Sequence, residues 1–319
     1  MKILANDGIS QEGISALQKA GYSVITDKVN QADLIQAINK ENYEIVLVRS
    51  ATTVRKEVID ACPGLKLVGR GGVGMDNIDV DYARQKGVNV INTPGASSQS
   101  VAELVMGQLF AISRSLHNSF KNMEEGDFNV LKKKYAKGVE LRGKTLGIIG
   151  LGRIGQSLAS YAISCGMNVI ALGKFEEKVI VSLPKMQGVD GPKIELTVHT
   201  NIIDYLPQLD FISLHVPKQE SGDAVIGKAE FDAMKDGVRI ANASRGGVID
   251  EDALLAALAS GKVAAIALDV YENEPNPRKE LISHPSIAPT PHIGAATVEA
   301  QARIGEELAE SIIAKFGKF

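Results

Sequence analysis

Short apolar runs alternate with helix-period segments along most of the chain. In the first third, the runs at 3–5, 24–25, 45–48, 67–69 and 88–91 predict strands. Segments 14–20, 32–39 and 56–61 carry helical spacing between them, the first stopped at Gly21 and the last before Pro63. Alternation of this kind predicts an open parallel sheet covered by helices on both faces. A long helical pattern follows at 97–117, with Val101, Leu104, Val105, Leu109 and Ile112 at core spacing. Residues 118–140 are polar and mixed and would make a poor core. They read as an arm lying on the surface or packed on another subunit.

A second alternating series begins at 141. Strands are predicted at 145–149, 169–172, 210–217, 238–243 and 264–268, with helices at 252–259 and 297–316. Residues 175–200 are irregular, although 193–198 alternates with period two and predicts an edge strand. The first turn of this series reads Gly150-Leu151-Gly152-Arg153-Ile154-Gly155, after an apolar strand and before an amphipathic helix. Strand, glycines, helix and return strand together make a dinucleotide-binding βαβ unit. Gly150 permits the tight turn, Gly152 lets backbone approach a pyrophosphate, and Gly155 lets helix and strand pack closely. The helix start at Arg153 and Ile154 offers N–H groups and partial positive charge to the phosphates.

Composition narrows the class. A chain of 319 residues suggests two domains, and 45% hydrophobic residues supply packed cores. The net charge of −3 gives no footprint for nucleic acid or an anionic membrane. Cys62 and Cys165, both in apolar surroundings, are expected to be reduced, buried thiols of a cytoplasmic protein. Acidic residues come too early after Met1 for a signal peptide, and no apolar run reaches membrane-spanning length.

The strand ends carry the candidate chemistry, because ligands of open α/β sheets sit beyond them. Those ends present Arg49, Arg70, His215, Arg245, Asp269 and His292, with Glu274 close behind Asp269. Oxidation of an alcohol by a nicotinamide needs a base for the hydroxyl proton and a cation for the substrate oxygens. Arg245 suits the cation role and His292 the base. Glu274 could pair with His292, fixing its tautomer and favouring the imidazolium. His215, before Val216 and Pro217, reads as lining the cofactor groove. Arg49 and Arg70 could select a phosphorylated substrate or be surface cations. The amides of Gly72, Val73 and Gly74 could form an anion nest for its carboxylate. His117, His199 and His284 read as structural. No Gly-x-Ser-x-Gly elbow is present, and the five histidines show no ligand spacing, so no metal is expected.

Four stretches together resemble the D-isomer-specific 2-hydroxyacid dehydrogenases. They are the glycine motif, Asn242-Ala243-Ser244-Arg245-Gly246-Gly247-Val248-Ile249-Asp250, Asp269-Val270-Tyr271-Glu272-Asn273-Glu274-Pro275 and Pro291-His292-Ile293-Gly294-Ala295-Ala296-Thr297. Within that family, Val48-Arg49-Ser50-Ala51-Thr52 and residues 69–77 resemble the branch that oxidises 3-phosphoglycerate. The resemblance implies two doubly wound α/β domains. A discontinuous, flavodoxin-like substrate domain would comprise 1–98 plus 293–319, and a Rossmann cofactor domain 99–292. The active site would lie between them, in a homodimer built on the cofactor domain. It also implies Arg245, Glu274 and His292 as the catalytic set, with Asp269 near the nicotinamide. Val73, Val216, Pro217, Ala243, Ser244, Gly294 and Ala295 would border NAD. The chain stops at Phe319, so no C-terminal regulatory domain, and hence no serine feedback, is expected.

One departure concerns the adenosine ribose. Where the family usually places an acidic residue, this chain has Gly173 followed by Lys174. Either NADP is accepted alongside NAD, or Gly173 only makes a turn and Lys174 faces solvent. The expected activity is interconversion of 3-phosphoglycerate and 3-phosphohydroxypyruvate, the entry to serine synthesis. Alternatives are a glyoxylate or hydroxypyruvate reductase, another D-2-hydroxyacid dehydrogenase, or a nucleotide-sensing co-regulator of the same fold.

Overall fold

The structure is a computed structural model and describes residues 1–124, 126–185 and 187–319. The chain divides into two compact units, Met1–Ser98 with Ala295–Phe319, and Gln99–Gly294.

The first unit holds β1 (Lys2–Ala5), β2 (Ser23–Ile25), β3 (Ile45–Val48), β4 (Leu67–Arg70) and β5 (Asn89–Asn92). All pair in parallel in the order β2-β1-β3-β4-β5, the flavodoxin-like order. Both faces are covered, which is why β3 reads as four consecutive buried apolar residues. Leu4, Val46, Val48 and Val68 pack with Leu34 and Ile38 in one core. Ile3, Ile45, Leu47 and Leu67 pack with Leu17, Ile304, Leu308 and Ile312 in the other. The second core includes the last helix, Val298–Phe316, so the end of the chain completes the sheet formed by its beginning. That helix meets Gln11–Lys19 at two glycines: a Cβ on Gly13 would stand 2.7 Å from the Gly305 carbonyl oxygen.

The second unit holds β6 (Thr145–Ile149), β7 (Asn168–Leu172), β8 (Glu177–Ser182), β9 (Lys193–His199), β10 (Phe211–Leu214), β11 (Val238–Asn242), β12 (Val263–Leu268) and β13 (Ile287–Pro289). The order is β13-β12-β11-β10-β6-β7-β9-β8. Strand order reverses at the β6–β10 pair, where doubly wound sheets bind ligands.

Three sequence expectations need correction. First, 175–200 is not irregular, although Met186 within it lies outside the described residues. β8 and β9 form an antiparallel hairpin, and β8, not β9, is the sheet edge. Val179 and Val181 turn inward with Leu196 and Ile194 beside them, and Ser160 Oγ on helix Arg153–Ser164 donates to the Ser182 carbonyl at 3.1 Å. Ile180 on the other face is exposed, which hid the strand from a hydrophobic-run reading. Second, the helical pattern at 97–117 is broken. Ser98–Arg114 ends at Ser115, whose φ of 52° is left-handed, and Leu116–Asn122 starts anew. The polar arm then contains a further helix, Phe128–Lys134, capped by Asp127; Glu125 lies outside the described residues. Third, Cys62 is buried but Cys165 is only half-buried.

Candidate functional site

The glycine motif connects β6 to helix Arg153–Ser164. Gly150 has φ 96°, and its N–H donates to the Leu172 carbonyl at 2.8 Å, so the end of β7 lies abreast of the turn. A Cβ on Gly150 would overlap the His215 carbonyl, and one on Gly155 the Gly150 carbonyl. A Cβ on Gly152 would meet nothing within 4 Å. The two outer glycines are therefore required by packing, while Gly152 faces open space. That is what a pyrophosphate cradle needs, with Arg153 and Ile154 opening the helix behind it. The helix has no acidic residue in its first turn, so nothing there opposes an anion.

His215 follows β10 on the other side of the switch point. Its N–H donates to the Ile149 carbonyl at 2.8 Å, and its Nε2 lies 2.9 Å from Ser213 Oγ. Nδ1 is buried with no hydrogen-bond partner. Burial pushes the imidazole down to about 4, so it is neutral at pH 7. A neutral, half-sequestered ring flanked by Val216 and Pro217 fits a groove wall better than a proton carrier.

The proton-transfer candidates sit at the far end of the sheet. His292 Nδ1 lies 2.7 Å from Glu274 Oε2, and the other Glu274 oxygen accepts from the Tyr271 N–H at 3.0 Å. Burial opposes ionisation of Glu274. His292, the Tyr271 amide and Arg245 together outweigh burial and hold the carboxyl below its usual range. An ionised carboxylate fixes the imidazole proton at Nδ1 and leaves Nε2 as the acceptor. His292 has φ 55°, in the left-handed region that non-glycine residues seldom adopt and that histidine enters more readily than most. Its side chain is 44% exposed.

Arg245 follows β11 in a loop braced by its neighbours. Asn242 Nδ2 donates to the Arg245 carbonyl at 3.0 Å, while Asn242 Oδ1 accepts from the amide and hydroxyl of Ser244. Ala243 is half-buried and Ser244 buried beside it. A Cβ on Gly246 would overlap the Tyr271 carbonyl, so the Arg245 loop and the Glu274 loop pack backbone to backbone. Asp269 is 1% exposed, and its carboxylate accepts from the amides of Ile293 and Gly294 and the hydroxyl of Thr290. Its contacts make it the anchor of the segment carrying His292. Among residues the sequence reading overlooked, Glu251 is buried and accepts from the Glu272 amide at 3.1 Å. Its only sequence signal is a place beside the cap residue Asp250.

In the first unit, Arg49 leaves β3 half-buried, and its guanidinium makes no hydrogen bond or ion pair among the described residues. It lines two open cavities, of about 410 and 530 Å³. Asp7 supports its backbone, accepting from the amides of Arg49 and Thr52 at 2.7 and 3.0 Å and pairing with Lys28. Arg70 behaves differently: Nε donates to Asn77 at 3.2 Å and Nη1 to the Gly71 carbonyl at 2.9 Å, folding it onto its own loop. The Gly72 amide is also spent, on Thr93 Oγ1 at 2.9 Å. The Val73 and Gly74 amides make no hydrogen bond among the described residues and remain for an anion. Ala295, half-buried, opens the returning segment of this unit, and its carbonyl accepts from Gln301 at 2.7 Å.

Residues 106–294 match the model of the D-isomer-specific 2-hydroxyacid dehydrogenase NAD-binding domain. The chain belongs to the D-isomer-specific 2-hydroxyacid dehydrogenases. It is 41% identical to a hydroxypyruvate reductase of Thermotoga maritima over 99% of this chain and 98% of that one. It is 40% identical to a D-3-phosphoglycerate dehydrogenase of Archaeoglobus fulgidus over 98% of this chain. The dehydrogenase spans only 57% of that relative's length. Among solved structures, a glyoxylate reductase from Paecilomyes thermophila superposes with a TM-score of 0.81 at 28% identity, covering 100% of this chain and 97% of that one. The glycine turn lies within the stretch matched by that NAD-binding domain, and a bound nicotinamide would supply the hydride acceptor. Among the described residues, no helix is long and apolar enough to cross a membrane.

Proposed function

We propose that this dehydrogenase interconverts 3-phosphoglycerate and 3-phosphohydroxypyruvate, a step that would feed serine synthesis. The observation that carries the reading is Arg49, a half-buried guanidinium with no partner among the described residues at the end of a buried strand. Such a group wants a dianion, and a phosphate ester offers charge-assisted, bidentate contacts. Relatives named D-3-phosphoglycerate dehydrogenase at 40% and 39% identity support it. In this proposal His292 Nε2 accepts the hydroxyl proton while the C2 hydrogen leaves as hydride for the nicotinamide. Arg245 holds the carboxylate and the C2 oxygen, and Glu274 keeps the imidazole oriented. The amides of Val73 and Gly74 would contribute to carboxylate binding.

A second reading is reduction of hydroxypyruvate, which lacks only the phosphate. It is favoured by the Thermotoga maritima relative, which this chain covers almost end to end. Comparing kcat/KM for 3-phosphoglycerate and D-glycerate separates the two. A preference of at least 10²-fold for the phosphorylated acid, about 2.7 kcal/mol, is expected. Equal use of both acids would favour the second reading.

The long helix Ser98–Arg114 and the arm at 118–140, Glu125 apart, are proposed to join two copies through the second unit. The arm exposes Phe120, Met123, Phe128 and Val130, an apolar set that a second copy would cover.

A further inference from the structure

The loop after β12 carries Glu274, and core packing does not hold it. Residues 272–276 are exposed, while Tyr271 before them is buried. Hydrogen bonds therefore have to set where Glu274 stands. Glu274 itself takes the Tyr271 amide, so its carboxylate is referred to the backbone at 271 and 272. Three contacts tie that backbone to the rest of the second unit. Gly246 packs against the Tyr271 carbonyl with no room for a Cβ. The Tyr271 hydroxyl lies 3.0 and 3.1 Å from the Leu268 and Thr290 carbonyls. Glu251 Oε1 accepts from the Glu272 amide at 3.1 Å.

Glu251 opens the helix Glu251–Ala259, next to its cap Asp250. An acid at this place usually stays in solvent and complements the helix dipole from there. Here Asp250 Oδ1 takes the amides of Asp252 and Ala253. The Glu251 side chain makes no hydrogen bond to its own helix among the described residues. It turns inward, leaving the residue 7% exposed, to a loop 21 residues on. Burial pushes its carboxyl up, and the Glu272 amide and the charge of Arg278 do not cancel that effect. The charges of Glu272 and Asp252 add to it. Its Oε2 is buried with no hydrogen-bond partner among the described residues. Burying a carboxyl in this way costs stability, and the one hydrogen bond gained is to the Glu274 loop. The next residue grips the same loop farther on, where Asp252 Oδ1 pairs with Arg278 Nη1 at 2.7 Å. The start of this helix thus holds the loop on both sides of Glu274.

We propose that Glu251 is a positioning residue for the Glu274–His292 pair. By fixing the Glu272 amide it holds the loop so that Glu274 Oε2 meets His292 Nδ1. The inference rests on the proton-transfer role of that pair and not on which hydroxyacid is oxidised. Glu251→Ala removes the acceptor, Glu251→Gln keeps one, and each is also combined with Glu274→Gln. The test measures kcat and KM against pH with NAD+ and the faster of 3-phosphoglycerate and D-glycerate, and NAD+ affinity by calorimetry. Glu251→Ala should lower kcat by about tenfold, less than loss of the base itself. KM and NAD+ affinity should stay within about twofold. Its kcat–pH profile should move in the same direction as that of Glu274→Gln. Glu251→Gln should return kcat to within about twofold of wild type and restore the profile. In the Glu274→Gln background, Glu251→Ala should change neither kcat nor profile further. NAD+ binding reports an intact fold. If the alanine variant does not fold, Glu251→Asp, one methylene too short for the amide, runs the same cycle. A merely structural role would lower stability and leave the profile in place. A shift in Glu274→Gln with none in Glu251→Ala would overturn the proposal alone. So would an equal loss of kcat from Glu251→Ala in both backgrounds. A Glu274→Gln profile that superimposes on wild type would remove the role of the pair, and this proposal with it.

Discussion

His292 and Glu274 are joined through Nδ1 and Oε2 at 2.7 Å, and the second Glu274 oxygen is held by the Tyr271 amide. The carboxylate thus has one oxygen for the imidazole and one for the loop that carries it. His292→Ala should lower turnover by about 10²-fold or more, the usual scale for losing a general base. Affinity for NAD+ should stay within about twofold, since the proposed role is toward the substrate proton and not the cofactor. Wild-type turnover in that variant would remove the assignment.

Glu274→Gln keeps the shape and one acceptor but loses the charge. In wild type the carboxyl is held below its ordinary range, so its stabilising contribution is complete above the unfolded value. That contribution is lost as pH falls through the lower folded value. The variant should lack this acid-side loss and show a changed pH profile of kcat. A profile superimposable on wild type would mean that the pair plays no part in proton transfer.

Arg49→Ala should raise KM for 3-phosphoglycerate by about 10-fold to 10²-fold, corresponding to loss of a charge-assisted contact. The KM for D-glycerate should change little. Arg70→Ala should instead lower stability more than it changes KM, because Arg70 is tied to Asn77 and Gly71. Equal effects of Arg49→Ala on both acids would reject the phosphate role.

How much of this was legible follows from the kind of signal each residue leaves. Buried parallel strands announce themselves as short apolar runs, so β3, β6 and β12 could be read directly. Arg245, Glu274 and His292 stand in motifs at strand ends, where polar residues interrupt apolar sequence. β8 was not legible because Lys178 and Ile180 face solvent while Val179 and Val181 face the core, and its charges mask the alternation. The break at Ser115 carries neither glycine nor proline. Glu251 and Asp7 look like ordinary acidic residues. Only the fold shows that Glu251 holds the Glu272 amide and that Asp7 holds the turn after β3. Gly173 could be seen as missing an acid, but the packing reason is tertiary: a Cβ there would stand 2.8 Å from Cγ1 of Val198, on a strand 25 residues on.

Exposed Phe120, Met123, Phe128 and Val130 predict a dimer. Light scattering at micromolar concentration should give twice the 34.0 kDa chain mass. Phe120→Asp with Phe128→Asp should shift it toward monomer. A monomeric wild type would exclude the arm as an interface.

His215 makes stability depend on pH in a window separate from the carboxylates. Its folded value is pushed down to about 4 by burial, from an ordinary 6.5. Above pH 6.5 both folded and unfolded forms are neutral, and the residue contributes no pH dependence. Between 6.5 and 4 the unfolded chain binds a proton that the folded chain refuses, so stability falls as pH falls. Below 4 both forms are charged and the loss levels off at about 3 kcal/mol. In the charged ring both nitrogens carry hydrogen, and the buried Nδ1 has no acceptor for its own. His215→Gln removes the titration while keeping a polar group for Ser213. Without cofactor, urea unfolding followed by circular dichroism should show wild type losing about 2 kcal/mol more than the variant between pH 7.5 and 5. Parallel losses in the two proteins would show that His215 takes up its proton as readily in the fold as outside it.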